Sequence, residues 1–218
     1  MQTLLTALEI IGVFSFSVSG AIMAIDKEND FLGVLFLALV TSFGGGILRD
    51  IFIGNTPPLF FKAYIPIIIS TLAATAVFVL AAVFKRQYVR NEKTLEAINN
   101  YFDAVGLSVF VITGAQICIE AGQTNPFLII SMGMLSGAGG SMIRDIIMNE
   151  VPLLLQRRVY LTAAIAGAGT YCLLLFFNVN KLVAVPVSAA MIVIIRVLAT
   201  VFEWNIPKAI DFSKMSDK

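Results

Sequence analysis

Gly44-Gly45-Gly46-Ile47-Leu48-Arg49-Asp50-Ile51 and Gly139-Gly140-Ser141-Met142-Ile143-Arg144-Asp145-Ile146 are the two stretches from which the fold is read. Each sets glycines, an arginine and an aspartate inside a long apolar segment. A proline follows each, Pro57 and Pro152. The likeness continues upstream at constant spacing. Glu9-x-x-Gly12-x-x-x-Phe16-x-x-Ser19-Gly20-Ala21 lies opposite Asp103-x-x-Gly106-x-x-x-Phe110-x-x-Thr113-Gly114-Ala115. Apolar helices resemble one another by chance. A shared order of acid, glycine, aromatic, Gly-rich segment, Arg-Asp and proline marks an internal duplication.

The solvent of these segments follows from composition. Of 218 residues, 58% are hydrophobic and 13% charged, and the net charge is +1. Soluble domains carry roughly twice that share of charge. A helix crosses a bilayer with about 20 apolar residues. Seven segments qualify: Leu4–Ala24, Phe31–Asp50, Tyr64–Phe84, Asn99–Ile119, Phe127–Ile147, Val159–Phe177 and Leu182–Phe202. The near-neutral charge gives no footing for nucleic acid. The absence of histidine removes His-based metal sites and Ser-His-Asp chemistry. Cys118 and Cys172 lie in apolar stretches and read as small buried residues. No cofactor and no enzymatic activity are expected.

Each repeat holds three spans, an odd number, so the second copy enters the membrane from the opposite face. The expected fold is all-α and polytopic, with two inverted three-helix repeats plus a seventh helix. The expected units are residues 1–93, the first repeat with a basic loop; 94–178, the inverted second repeat; 179–204, the seventh span; and 205–218, a polar tail. Such repeats place functional sites near mid-bilayer at their interface. Lys85, Arg86, Arg90 and Lys93 in loop three, Arg157 and Arg158 in loop five, and Lys208, Lys214 and Lys218 in the tail share one side. The positive-inside rule makes that side cytoplasmic and leaves the N-terminus outside. Loop three also suits anionic lipid headgroups.

Two readings of the glycines stand side by side. Gly44, Gly45 and Gly46, with Gly137, Gly139 and Gly140, could break their helices beside a conduction path and free carbonyls for a cation. They could equally let helices approach closely. Gly12, Gly20, Gly106 and Gly114 read as packing grooves, and Pro57, Pro58 and Pro152 as helix stops. Arg49, Asp50, Arg144 and Asp145 are costly inside a bilayer, about 2.5–3.5 kcal/mol each at a span's centre. Helix neighbours at i and i+1 do not face each other. The expectation is therefore pairing across the repeats, Arg49 with Asp145 or Arg144 with Asp50, either lining a path or locking the halves together. Glu9, Asp103, Asp26 and Glu120 read as span-end acids. Ser15, Ser17, Ser19, Thr41 and Ser42 offer hydroxyls to an ion or to the helix backbone.

The paired Gly-rich Arg-Asp segments, each followed by proline, resemble the prokaryotic TRIC (trimeric intracellular cation) channel family over nearly the whole chain. The resemblance implies a homotrimer with one pore in each protomer. It implies that kinked second and fifth spans line the pore and that potassium and other monovalent cations, such as sodium, permeate. Carried onto this sequence, Gly44, Gly45, Gly46, Arg49 and Asp50 match the first motif. Gly139, Gly140, Arg144 and Asp145 match the second, with Ser141 where the first has Gly46. Thr41, Ser42 and Gly137 complete the expected pore and gating set. The protein is expected in the inner (plasma) membrane of a prokaryote. Relatives have also been labelled glycine transporters, so secondary transport of a small zwitterion is the alternative.

Overall fold

Spacing of apolar residues without interruption over 18 or more positions leaves the backbone one economical solution in lipid, the helix, which satisfies its own N–H and C=O groups. A computed structural model describes residues 2–62, 64–156, 159–202 and 204. Its helices run α1 (Gln2–Asp26), α2 (Phe31–Phe52), α3 (Tyr64–Val83), α4 (Lys85–Arg90), α5 (Glu92–Glu120), α6 (Pro126–Ile147), α7 (Leu153–Gln156), α8 (Val159–Phe176) and α9 (Lys181–Val201), with a 3₁₀ turn over Leu59–Lys62. Among the described residues there is no strand. Seven helices, α1, α2, α3, α5, α6, α8 and α9, are long and apolar enough to cross a membrane. The chain is an all-α multi-pass membrane protein, with two inverted three-helix repeats (α1–α2–α3 and α5–α6–α8) and a seventh span, α9.

The turns repeat as well as the helices. Asp30 caps α2 by accepting from the Gly33 N–H, and Asn125 caps α6 by accepting from Phe127 N–H. After α2, Gly54 adopts φ 74°; after α6, Asn149 adopts φ 55°. In each turn the next residue closes back on the aspartate carbonyl, Asn55 N–H to Asp50 O at 2.8 Å and Glu150 N–H to Asp145 O at 2.9 Å. These left-handed turns end the helices several residues before Pro57 and Pro152. The expectation that proline stops them is corrected.

Packing follows the pseudo-two-fold relation. The Phe16 and Phe110 rings, repeat mates, stack on each other with centroids 5.3 Å apart. A Cβ on Gly45 would fall 2.2 Å from the Ser136 carbonyl oxygen, and one on Gly140 would fall 2.1 Å from that of Thr41. Those two contacts are images of each other, since Ser136 and Thr41 are also repeat mates. Gly139 would meet the Gly45 Cα at 3.0 Å. The backbones of α2 and α6 therefore touch where they cross, as small residues allow. Helix is unbroken through both glycine clusters. The expected breaks with freed carbonyls are corrected: the glycines hold two intact helices together. The physical reason is that close backbone contact offsets the low helix propensity of glycine.

Loop three is helical. α4 leads directly into α5, which starts at Glu92, well before the expected Asn99. Tyr88 donates to Asp26 at 3.0 Å. Burial, and then the Asp26 carboxylate, push the phenol above its usual range, so it stays a donor at physiological pH. Asp26, Phe78, Lys85 and Tyr88 help line an open cavity of about 900 Å³ at this end of the bundle. Lys27, after α1, pairs with Glu150, after α6, which ties the repeats together on the same face. Arg157, Arg158, Lys208, Lys214 and Lys218, used in the charge-bias argument, lie outside the described residues, as does the tail 205–218.

Gly45→Ala or Gly140→Ala forces the two backbones apart. Each is expected to cost about 1–3 kcal/mol or more, as overpacking does. Gly46→Ala, whose Cβ would have its nearest neighbour, the Arg49 Nη2, at 3.7 Å, is expected to be near neutral. Thermal melting of the detergent-solubilised variants, followed by size-exclusion fluorescence, checks the contrast.

Candidate functional site

Each Arg-Asp pair ends an apolar helix and meets a loop that returns to it. Arg49 donates through Nε and Nη2 to Asp50 Oδ1, at 3.0 and 2.8 Å. The other Asp50 oxygen accepts from the Leu59 N–H at 2.8 Å. Arg144 repeats this. Its Nε donates to Asp145 Oδ1 at 2.9 Å, and Asp145 Oδ2 accepts from Leu153 N–H at 2.9 Å. All four side chains are buried. The expected pairings across the repeats, Arg49–Asp145 and Arg144–Asp50, are thus corrected. The i, i+1 rule compares Cβ directions, whereas the Arg arm is long enough to curl back onto its neighbour. The returning loop holds the carboxylate in place to receive it.

What crosses the repeat boundary is a guanidinium-to-hydroxyl bond. Arg49 Nη1 donates to Ser136 Oγ at 3.1 Å, and Arg144 Nη1 donates to Ser19 Oγ at 2.7 Å. Each half thereby locks the other at its own end of the bundle.

Beyond this the halves part company. Arg144 also reaches Asp103, at 3.4 Å, and Asp103 is approached from its other side by Arg196 of α9, again at 3.4 Å. Arg196 lies over the Tyr160 ring, 4.5 Å from its centroid, and Tyr160 hydrogen-bonds Ser141 at 2.8 Å. Two carboxylates and two guanidiniums fill this end, all buried. In the first repeat Glu9 takes the place of Asp103. Glu9 instead borders a cavity of about 90 Å³ with Ser42, Arg49, Asp50, Thr113 and Gln116. One guanidinium there faces two carboxylates. The volume holds a few water molecules.

Of the residues singled out in the sequence, Ser42, Gly46, Arg49 and Asp50 border this cavity. Gly44, Gly45, Gly139 and Gly140 form the helix crossing instead. Thr41 bonds the Leu37 carbonyl at 2.6 Å, and a Cβ on Gly137 would meet Val111 Cγ2 at 2.5 Å. Ser141, Arg144 and Asp145 belong to the filled cluster. Sequence reasoning missed Arg196 altogether and treated Asp103 as a span-end acid. The signal was present: an arginine inside the seventh span requires a buried acceptor, and Asp103 is the repeat mate of Glu9.

Comparison with known proteins gives one consistent family. A family model described as Glycine transporter matches residues 6–82 and again 100–176, once over each repeat. A UPF0126 membrane protein of Deinococcus radiodurans is 43% identical over 169 residues, covering 77% of this chain and 74% of the relative. A solved structure described as explaining conductance through TRIC cation channels is 36% identical. It superposes with a TM-score of 0.81 over 94% of this chain and 97% of its own. The TRIC trimeric intracellular cation channel orthologue from Rhodobacter sphaeroides is 30% identical, with a TM-score of 0.83 over 93% of this chain and all of its own.

Arg144→Ala leaves Asp145 buried without its cation and Asp103 with Arg196 alone, and is expected to destabilise by about 3–5 kcal/mol. In double-mutant cycles Arg144 couples to Asp103 by more than about 0.5 kcal/mol, whereas Arg144 and Asp50, which share no partner, add independently. Thermal stability of the four variants of each cycle reads both.

Proposed function

This chain belongs to the family of UPF0126 membrane proteins and TRIC channels, and from that premise we propose that it is a passive channel for monovalent cations, potassium above all and sodium with it. The observation that carries the reading is the cavity at Glu9, Arg49 and Asp50. It sets one buried guanidinium against two carboxylates, buried Asp50 and exposed Glu9, at the mouth of an apolar cleft, and such a cleft attracts cations by focusing the field of its charges. Hydroxyl and amide oxygens of Ser42, Thr113 and Gln116 stand ready to replace part of a hydration shell. The channel pore lies within one protomer, and three protomers assemble, as the name of the Rhodobacter channel suggests for its own chain. The pore and gating set comprises Thr41, Ser42, Gly44, Gly45, Gly46, Arg49, Asp50, Gly137, Gly139, Gly140, Ser141, Arg144 and Asp145. The glycine contact of α2 and α6 is then the joint about which the path opens.

The protein sits in the inner membrane of a prokaryote with its N-terminus outside. Support comes from Lys85, Arg86 and Arg90 in α4, which share a face with Lys27, and the positive-inside rule favours the cytoplasm for that face. Residues 1–93, 94–178, 179–204 and 205–218 remain the working division of the chain. The cavity beneath α4, with both charged and apolar walls, is where membrane lipid would touch the protein.

A second reading has one observation in its favour. Each half pairs a guanidinium with carboxylates, which suits the carboxylate and ammonium of a zwitterion such as glycine, the substrate in the description of the matching family model.

Planar-bilayer recording of the purified protein across a potassium chloride gradient decides between them. Discrete currents reversing near the potassium equilibrium potential are expected. A folded protein that passes no current but exchanges labelled glycine across vesicles would overturn the channel reading. Glu9→Gln is expected to lower potassium conductance by about two- to three-fold at low ionic strength and less at high salt, where the lost charge is screened anyway.

A further inference from the structure

Three serines from three helices meet in the interior of the first repeat. Ser17 of α1 lies 2.8 Å from Ser42 of α2 and 2.8 Å from Ser70 of α3. Ser17 is also 2.6 Å from the Val13 carbonyl oxygen. Ser42 is 3.2 Å from that same carbonyl and 2.8 Å from the Ala38 carbonyl. All three serines are buried.

A hydroxyl has one proton to donate. Three hydroxyls supply three protons, yet the cluster makes five close oxygen–oxygen contacts. At least two of those contacts hold no proton of their own. Buried oxygens crowded in this way share their protons between acceptors, and a cation beside them would satisfy the same lone pairs. The cluster is also not sealed: Val13 and Ser42 both border the cavity that Glu9 and Asp50 make negative.

The second repeat serves as an internal control. The mates of Ser17 and Ser42 are Val111 and Gly137, which pack directly against each other. Nothing in helix folding demands serines at these places, since the related bundle does without them.

We propose that Ser17, Ser42 and Ser70, with the Val13 carbonyl, form a site for one partly dehydrated monovalent cation at the floor of the Glu9 cavity. The conduction path then runs through the interior of the first repeat rather than equally through both. This rests on the channel reading above. The oxygens move apart by a few tenths of an ångström to admit the ion, and the ion's charge replaces the missing protons. Ser70 thereby becomes a selectivity residue, on a helix outside the Gly-rich motifs.

The test is single-channel recording of the full chain in potassium and in thallous solutions, comparing wild type with Ser42→Cys and Ser70→Cys. A thiol is larger than a hydroxyl and a softer donor, and it favours the softer thallous ion. The expected result is a rise of about threefold or more in the thallium-to-potassium permeability ratio for both variants. Ser108→Cys, at a buried serine of α5 that bonds the Val105 carbonyl, is expected to leave the ratio unchanged. A merely structural serine cluster would lower open probability or stability without an ion-dependent change. Wild-type currents with an unaltered ratio in both variants overturn the site and leave the channel reading standing. A silent wild type overturns both.

Discussion

Backbone contact between α2 and α6 is the constraint on which the rest depends. At their crossing no room exists for a Cβ on Gly45 or Gly140, because each faces a carbonyl oxygen of the other helix. In lipid no hydrophobic force drives helices together, so association rests on close packing and on polar bonds. The crossing supplies the packing. It also sets the distance over which Arg49 of α2 reaches Ser136 of α6. Move the helices apart by the width of a methyl group and Arg49 loses its partner across the boundary.

The same pair of Arg-Asp motifs serves two ends of the bundle differently. α9 carries Arg196 to Asp103, and two guanidiniums then balance two carboxylates, all four buried. In the first repeat the acid equivalent to Asp103 borders open space. Symmetric repeats thus yield an asymmetric site because one helix was added outside the duplication. Charge balance at one end makes it structural; imbalance at the other gives it something to attract.

Much of this was legible from residues alone. Glu9 through Ala21 against Asp103 through Ala115 disclosed the duplication, and the parity of three spans disclosed its inversion. The seven spans followed from apolar run length. Pairing was not legible, because it depends on where a flexible Arg arm lies and on the N–H groups of Leu59 and Leu153, which a returning loop brings back. The glycine clusters were equally ambiguous. Glycine permits both a break and a close approach, and only the partner helix determines which. Ser70 could not be linked to Ser17 and Ser42 from spacing, since a contact between three helices has no sequence period.

The stacked rings of Phe16 and Phe110 carry a consequence of another kind. They are the same residue of the repeat meeting itself, an isologous contact of the sort found in two-fold dimers. A contact of this type needs only one kind of chain. Two copies of a single three-helix ancestor, inserted in opposite directions, would have stacked the same rings. Such an ancestor had to remain indifferent to its own orientation, with little charge bias between its loops. Fusion lifted that restriction, and the basic residues of α4, placed between the repeats, are where a joined chain could first settle which way to face.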